Sequence, residues 1–246
     1  MQHDDAVVAV AFARTGELIV TGSEDKTARL WDRTGEPVGK PMQHDDAVVA
    51  VAFDPKGELV ATGSAWKDKT ARVWSARTGE PVSPPMRHGG DVYAIAFHPK
   101  GEVLVTGSED YTARLWKARS GEPVGKTMHH AGPVLAAAFD REGELLVTGS
   151  QDWSARLWNA LTGEPIGTPM QHKGTVWAVA FDPKGGLLVT GSFDNTARLW
   201  RALSPPALFQ QARSILGSEN KSAMISAAPL DFLGWLGRKI GNVPKS

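Results

Sequence analysis

Thr70-Ala71-Arg72-Val73-Trp74 decides the fold, because the chain writes this stretch five times. It stands at Thr27–Trp31, Thr112–Trp116 and Thr196–Trp200 with Leu for Val, and at Ser154–Trp158 with Ser for Thr as well. The closing tryptophans, Trp31, Trp74, Trp116, Trp158 and Trp200, follow one another at steps of 43, 42, 42 and 42 residues. Six residues before each comes an aspartate (Asp25, Asp68, Asp110, Asp152, Asp194), and shortly before that a Gly-Ser pair ending at Ser23, Ser64, Ser108, Ser150 or Ser192. A histidine opens every copy: His3, His44, His88, His130 and His172. Residues 1–12, MQHDDAVVAVAF, recur letter for letter as residues 42–53. A repeat of this period marks a stack of like supersecondary units, and such arrays bind more often than they catalyse.

Residues 44–83 show what one unit is. Val48-Val49-Ala50-Val51-Ala52-Phe53 is a short, apolar, β-branched run and reads as a buried strand. Asp54-Pro55-Lys56-Gly57 supplies a turn, and Leu59–Ser64 a second strand. A polar corner around Asp68 leads to a third, Thr70–Trp74. Thr78-Gly79-Glu80 turns into a fourth, Pro81-Val82-Ser83, whose proline suits an outer edge. Four hairpin-linked antiparallel strands make a twisted sheet, apolar on both faces, which cannot stand alone. Stacking such sheets around an axis buries both faces, and that arrangement is a β-propeller. The inner strands are expected to start near Val7, Val48, Val92, Val134 and Val176.

The remaining composition excludes several classes of function. Among 246 residues, 27 basic and 27 acidic side chains cancel, which leaves no electrostatic footprint for nucleic acid or an acidic membrane surface. Cysteine is absent, so thiolate metal sites, disulfides and cysteine nucleophiles are ruled out. No apolar run reaches the roughly 20 residues of a membrane helix. The first residues are already repeat sequence rather than a signal peptide, so a cytoplasmic protein is expected, without cofactor or metal.

Five copies of His, Gly-Ser, Asp and Trp at this spacing resemble the WD-repeat family, over about 200 of the 246 positions. The resemblance implies an all-β propeller of five four-stranded blades over residues 1–201, in copies of about 1–41, 42–85, 86–127, 128–169 and 170–201. It also implies a buried hydrogen-bonded chain in each blade: His3, Ser23, Asp25, Trp31; His44, Ser64, Asp68, Trp74; His88, Ser108, Asp110, Trp116; His130, Ser150, Asp152, Trp158; and His172, Ser192, Asp194, Trp200. The Asp after Trp that names the family is present only at Asp32; Ser75, Lys117, Asn159 and Arg201 hold the position elsewhere. The second corner carries two extra residues (GSAWKDKT against GSEDKT), which should make Trp66 protrude. The fifth copy lacks the Thr-Gly-Glu-Pro stretch after its tryptophan, so a fourth strand is not assured there.

The family implies a function of non-catalytic scaffolding, with a protein or peptide partner held on the face where the corners meet the starts of the inner strands. Variable aromatics gather at those positions in the third to fifth copies: Tyr93, Tyr111, Trp153, Trp177 and Phe193. Competing readings are weaker. Ser, His and Asp together suggest a hydrolase triad, but an enzyme needs one accessible set, not five on a structural period. Gly125-Lys126-Thr127 lacks the earlier glycine of a phosphate loop, where Ser120 stands. His129 beside His130 has no further clustered ligands for a metal. Sialidase-type propeller boxes differ in the Asp-to-Trp spacing. A propeller enzyme or carbohydrate-binding module with an axial site is disfavoured by inner strands of Val, Ala and Phe. A fragment of a longer multi-bladed regulator is the other alternative.

Residues 202–246 carry no repeat. Pro205-Pro206 could open a helix to Leu216 with Gly217 as its stop, and Leu230, Leu233, Leu236 and Ile240 mark a second, so a partly helical tail is expected. Met1 stands at a blade boundary, with no earlier strand to complete the last blade. An open arc is therefore expected rather than a closed ring, with self-association through its uncovered edges as a possible consequence.

Overall fold

The computed structural model describes residues 1–202. The expected helical tail and the whole segment 203–246 lie outside the described residues. Everything described is strand, turn or loop, so no helix there is long and apolar enough to cross a membrane.

The strands group into five separate antiparallel sheets. Blade one contains β1 (Val7–Phe12), β2 (Leu18–Ser23), β3 (Thr27–Asp32) and β4 (Pro37–Gln43). Blade two contains β5 (Val48–Phe53), β6 (Leu59–Ser64), β7 (Thr70–Ser75) and β8 (Met86–Arg87). Blade three contains β9 (Val92–Phe97), β10 (Val103–Ser108), β11 (Thr112–Lys117) and β12 (Pro123–His129). Blade four contains β13 (Val134–Phe139), β14 (Leu145–Ser150), β15 (Ser154–Asn159) and β16 (Pro165–Gln171). Among the described residues blade five contains β17 (Val176–Phe181), β18 (Gly186–Ser192) and β19 (Ala197–Ala202). The inner strands begin within the residues that the apolar runs mark.

Two boundaries differ from the sequence reading. The outer strands of blades one, three and four run past residues 41, 127 and 169, the ends of the repeat copies, because Met42, Met128 and Met170 pair with Ala28, Ala113 and Ala155 of the blade before them. The expected strand Pro81-Val82-Ser83 is a single bridge from Pro81 to Trp74, and the ladder resumes only at Met86–Arg87. Other blades turn the outer strand through a glycine at positive φ, such as Gly39 at 70°. Blade two has Ser83-Pro84-Pro85 there, with no such glycine and two residues lacking an N–H.

Blades stack back to front. Val20, Ala28, Leu30 and Met42 on the back of blade one meet Val48, Val60 and Trp74 on the front of blade two, with Val51 and Phe53 packed alongside. Equivalent clusters join blades two to three, three to four and four to five. The Thr-Gly-Ser motif of each second strand has a packing reason. A Cβ on Gly63 would lie 2.8 Å from the Val92 carbonyl oxygen and 3.0 Å from its Cγ1. Gly63→Ala therefore has to push two blades apart. A cost of about 1–3 kcal/mol is expected in urea unfolding, and an unchanged midpoint would contradict the tight approach.

Among the described residues the arc does not close. Val48 is fully buried, whereas its equivalent Val7 is 52% exposed and the neighbouring Val10 and Phe12 are 66% and 67% exposed. At the other end Leu199 is 67% exposed where Leu30 is 1%.

Candidate functional site

Each blade presents one end where the corner between its second and third strands meets the start of its inner strand. The inner strands carry a bulge there. Val7 pairs with Ser23 and Ala9 with Gly22, so Val8 is the extra, unpaired residue. Val49, Tyr93, Leu135 and Trp177 occupy the same position. A bulge re-aims the side chain it carries, and it brings these five variable residues to the corner end.

The corner is pinned by its aspartate. Asp110 Oδ1 accepts the Thr112 N–H at 3.0 Å, together with the Thr112 hydroxyl. Its Oδ2 accepts the Gly89 N–H at 2.9 Å and lies 3.0 Å from His88 Nδ1. His88 Nε2 is 2.7 Å from Thr106 Oγ1, and that oxygen also accepts the Trp116 indole N–H at 2.8 Å. A neutral imidazole protonated on Nδ1 satisfies the whole chain, with Trp116 donating to Thr106, Thr106 to His88 and His88 to Asp110. The same links recur through Thr21, Thr62, Thr148 and Thr190.

This corrects one member of the expected set. Ser23, Ser64, Ser108, Ser150 and Ser192 do not bridge histidine and tryptophan; the threonine two residues earlier does. The imidazole reaches from the corner past the serine to the next inward-pointing residue of the second strand. The serine instead ties the corner to the inner-strand loop: Ser108 donates to the Gly90 carbonyl at 3.0 Å and accepts the Asp110 N–H at 3.1 Å.

The chemistry of this network is that of a framework. Burial alone would raise the carboxyls of Asp25, Asp68, Asp110 and Asp152, yet the hydrogen bonds they accept hold all four well below the usual carboxylate range. At Asp194 the Lys173 backbone N–H, then the Thr196 hydroxyl, do the same. Burial pushes His44 below its ordinary value, against the opposing pull of Asp68. Thr62, Thr106, Thr148 and Thr190 are wholly buried, so no substrate reaches the hydroxyl that faces the imidazole. Among the described residues no three His, Asp or Glu side chains are placed to hold a metal.

The residue after each aspartate sits at the corner tip in the left-handed region: Lys26, Lys69, Tyr111, Trp153 and Asn195, at φ of 52–68°. Only asparagine adopts it readily, and for the others the conformation costs about 1–3 kcal/mol. It is enforced by the next repeat, since the carbonyls of Tyr111 and Trp153 accept the N–H groups of His130 and His172 at 2.9 and 2.8 Å. Tyr111 and Trp153 are consequently held out from the surface, half exposed. Trp177 and Phe193 are exposed and in ring contact with each other, their centroids 5.2 Å apart and their planes tilted by 39°. Tyr93 is half-buried and donates to Asp91 at 3.3 Å. Burial, then the Asp91 and Glu109 carboxylates, push its phenol up to about 12. Among the described residues, none of Tyr93, Tyr111 and Trp153 stands in ring contact with another of the five. In the two-residue insertion Trp66 does protrude, 71% exposed, with its backbone N–H donated to Asp91 Oδ1 at 2.6 Å.

The profile of the family described as WD domain, G-beta repeat matches residues 1–32, 35–75, 79–117, 121–159 and 163–201. The chain belongs to the WD-repeat family. The matched stretches take in the blades and the corner network, in which threonine stands between histidine and tryptophan. No curated protein matches the chain in sequence. Among solved structures it is similar to the crystal structure of a computationally designed protein, Ika8, at 28% identity and a TM-score of 0.73. The match covers 82% of this chain and 60% of the designed one, so this WD-repeat chain spans under two thirds of that protein's length.

Proposed function

We propose that this WD-repeat chain is a non-catalytic scaffold, cytoplasmic in location, that holds a protein or peptide on the corner face of blades three to five. The observation that carries the reading is the exposure of four large aromatics, Tyr111, Trp153, Trp177 and Phe193, at one end of adjacent blades. Two project from left-handed corners that fix where their backbone stands, and two are in mutual ring contact, which limits the side-chain freedom that pair loses when a partner covers it. Rigid tyrosine and tryptophan side chains are the commonest interface anchors. Tyr93, tied to Asp91, lends the rim rather than the centre. The scaffold role agrees with the burial of Thr62, Thr106, Thr148 and Thr190, whose hydroxyls face histidine Nε2.

The test separates binding from folding. Tyr111→Asn together with Trp153→Asn removes two anchors while placing at both tips a residue that favours the left-handed region. Partner affinity is expected to fall at least tenfold in a quantitative pull-down, with an equal or slightly higher melting temperature. Trp177→Ala with Phe193→Ala is expected to do the same without the gain in stability. Full capture by both double variants would overturn the reading.

A further inference from the structure

Two departures from the repeat meet each other on the corner face. One is the two-residue insertion that carries Trp66. The other is Asp91, which stands where the other copies have Ala6, Ala47, Pro133 and Thr175. Asp91 is buried, and each of its carboxylate oxygens holds a residue that bears an aromatic ring. Oδ1 accepts the Trp66 backbone N–H at 2.6 Å, and Oδ2 accepts the Tyr93 hydroxyl at 3.3 Å. Trp66 comes from the corner of blade two and Tyr93 from the bulge of blade three, so one carboxylate spans the seam between the blades and sets where both stand. Trp66 takes a φ of 60° there, a conformation that a large side chain keeps only where its surroundings impose it. Its ring joins none of the apolar clusters that hold the blades together. At 71% it is the most exposed aromatic side chain among the described residues.

The charge beside these rings is negative. Glu109 is exposed. Its N–H donates to the Asp91 carbonyl at 2.8 Å, and its Oε2 accepts the Asp91 N–H at 3.5 Å. After burial, it is the Asp91 and Glu109 carboxylates that push the Tyr93 phenol up to about 12, so the seam lies at negative potential. Lys69 has its ammonium on the Gly89 carbonyl, 3.3 Å away. An uncovered indole beside such carboxylates suits a guanidinium, which lies flat on the ring while its N–H fork reaches an oxygen pair. We propose that Trp66, Tyr93 and Glu109, held together by Asp91, form a subsite at the seam of blades two and three that takes an arginine side chain of the partner. That the arginine belongs to a protein or peptide rests on the function proposed above; the subsite extends the same face by one blade, through an insertion no other copy has.

The probe is Nα-acetyl-arginine amide, titrated into the full 246-residue chain at constant ionic strength, with Nα-acetyl-citrulline amide as its uncharged counterpart. The Trp66 indole N–H and the backbone amides of Asp91, Tyr93 and Glu109 are followed by NMR. Saturable shifts are expected with the arginine probe, in the millimolar range that suits a single exposed cation on a ring, and none with the citrulline probe. Glu109→Gln removes the charge and keeps the shape. Trp66→Asn removes the ring and places at φ of 60° a residue that favours the left-handed region. Each is expected to weaken the titration, read at the Asp91 and Glu109 amides, at least threefold without lowering the melting temperature. Trp177→Ala with Phe193→Ala, in blade five, leaves the titration unchanged whatever it does to partner capture, so failure of the blade-five anchors and failure of this subsite are told apart. Absence of saturable shifts would overturn the proposal, as would equal shifts from citrulline. So would a titration unaltered by Glu109→Gln combined with Trp66→Asn, or one abolished by the blade-five pair.

Discussion

Replacing Thr106 by Val is expected to lower the unfolding free energy by about 3 kcal/mol, because one lost hydroxyl orphans two buried groups. His88 Nε2 and Trp116 Nε1 both meet at Thr106 Oγ1, at 2.7 and 2.8 Å, and neither has water within reach at a wholly buried site. Valine keeps the shape, so the loss reports hydrogen bonding rather than a cavity. Ser108→Ala removes one donor to Gly90 and one acceptor for the N–H of Asp110, a residue that keeps part of its surface in solvent, and about 1 kcal/mol is expected. Thr106→Ser should recover most of the stability. Urea unfolding of the three variants checks the ranking. A Ser108→Ala loss larger than that of Thr106→Val would return the serine to the centre of the network.

Acid is expected to unfold the protein steeply. Five corner aspartates have native carboxyls held below the ordinary value of 3.8. For a carboxyl whose folded value is depressed, the unfolded chain binds more protons at low pH, so stability rises with pH through that range. The contribution is complete above about pH 4 and is lost as pH falls towards the folded values. His44 acts in the same direction at higher pH. Its folded value lies below the ordinary 6.5, so the unfolded state takes up a proton first, and a shallower loss begins as pH drops below that point. The melting temperature should be flat above pH 7, decline gently to pH 4, and fall sharply below it. A melting temperature constant from pH 5 to pH 3 would show that the corner carboxylates are not engaged as described.

The blades were legible because their signals are local and repeated. A short β-branched run, a Pro-Gly turn and a fixed interval to tryptophan leave few alternatives to a four-stranded unit. The corner network was legible in composition but not in connection. Thr106 and Ser108 point to the same side of one strand, and only the depth of the imidazole decides which one it reaches. The bulge was invisible, because Val8, Val49, Tyr93, Leu135 and Trp177 share no residue type that marks an extra position. Left-handed corners were hidden for the same reason: Lys, Tyr and Trp carry no such preference, and the conformation is imposed by the next blade's histidine N–H. The sequence reading took Pro81-Val82-Ser83 for a regular fourth strand and passed over Pro84-Pro85. Their consequence depended on the missing outer-strand glycine, which matters only once the positive φ of Gly39 is seen.

Hydrogen exchange of the full chain, with and without its bound partner, tests the proposed corner-face site most directly. Protection is predicted for the amides at residues 109–112, 151–154, 176–178 and 192–195, with the outer strands Pro37–Gln43 and Pro123–His129 unchanged. Protection confined to those outer strands, with the four corner segments exchanging as in the free protein, would contradict it.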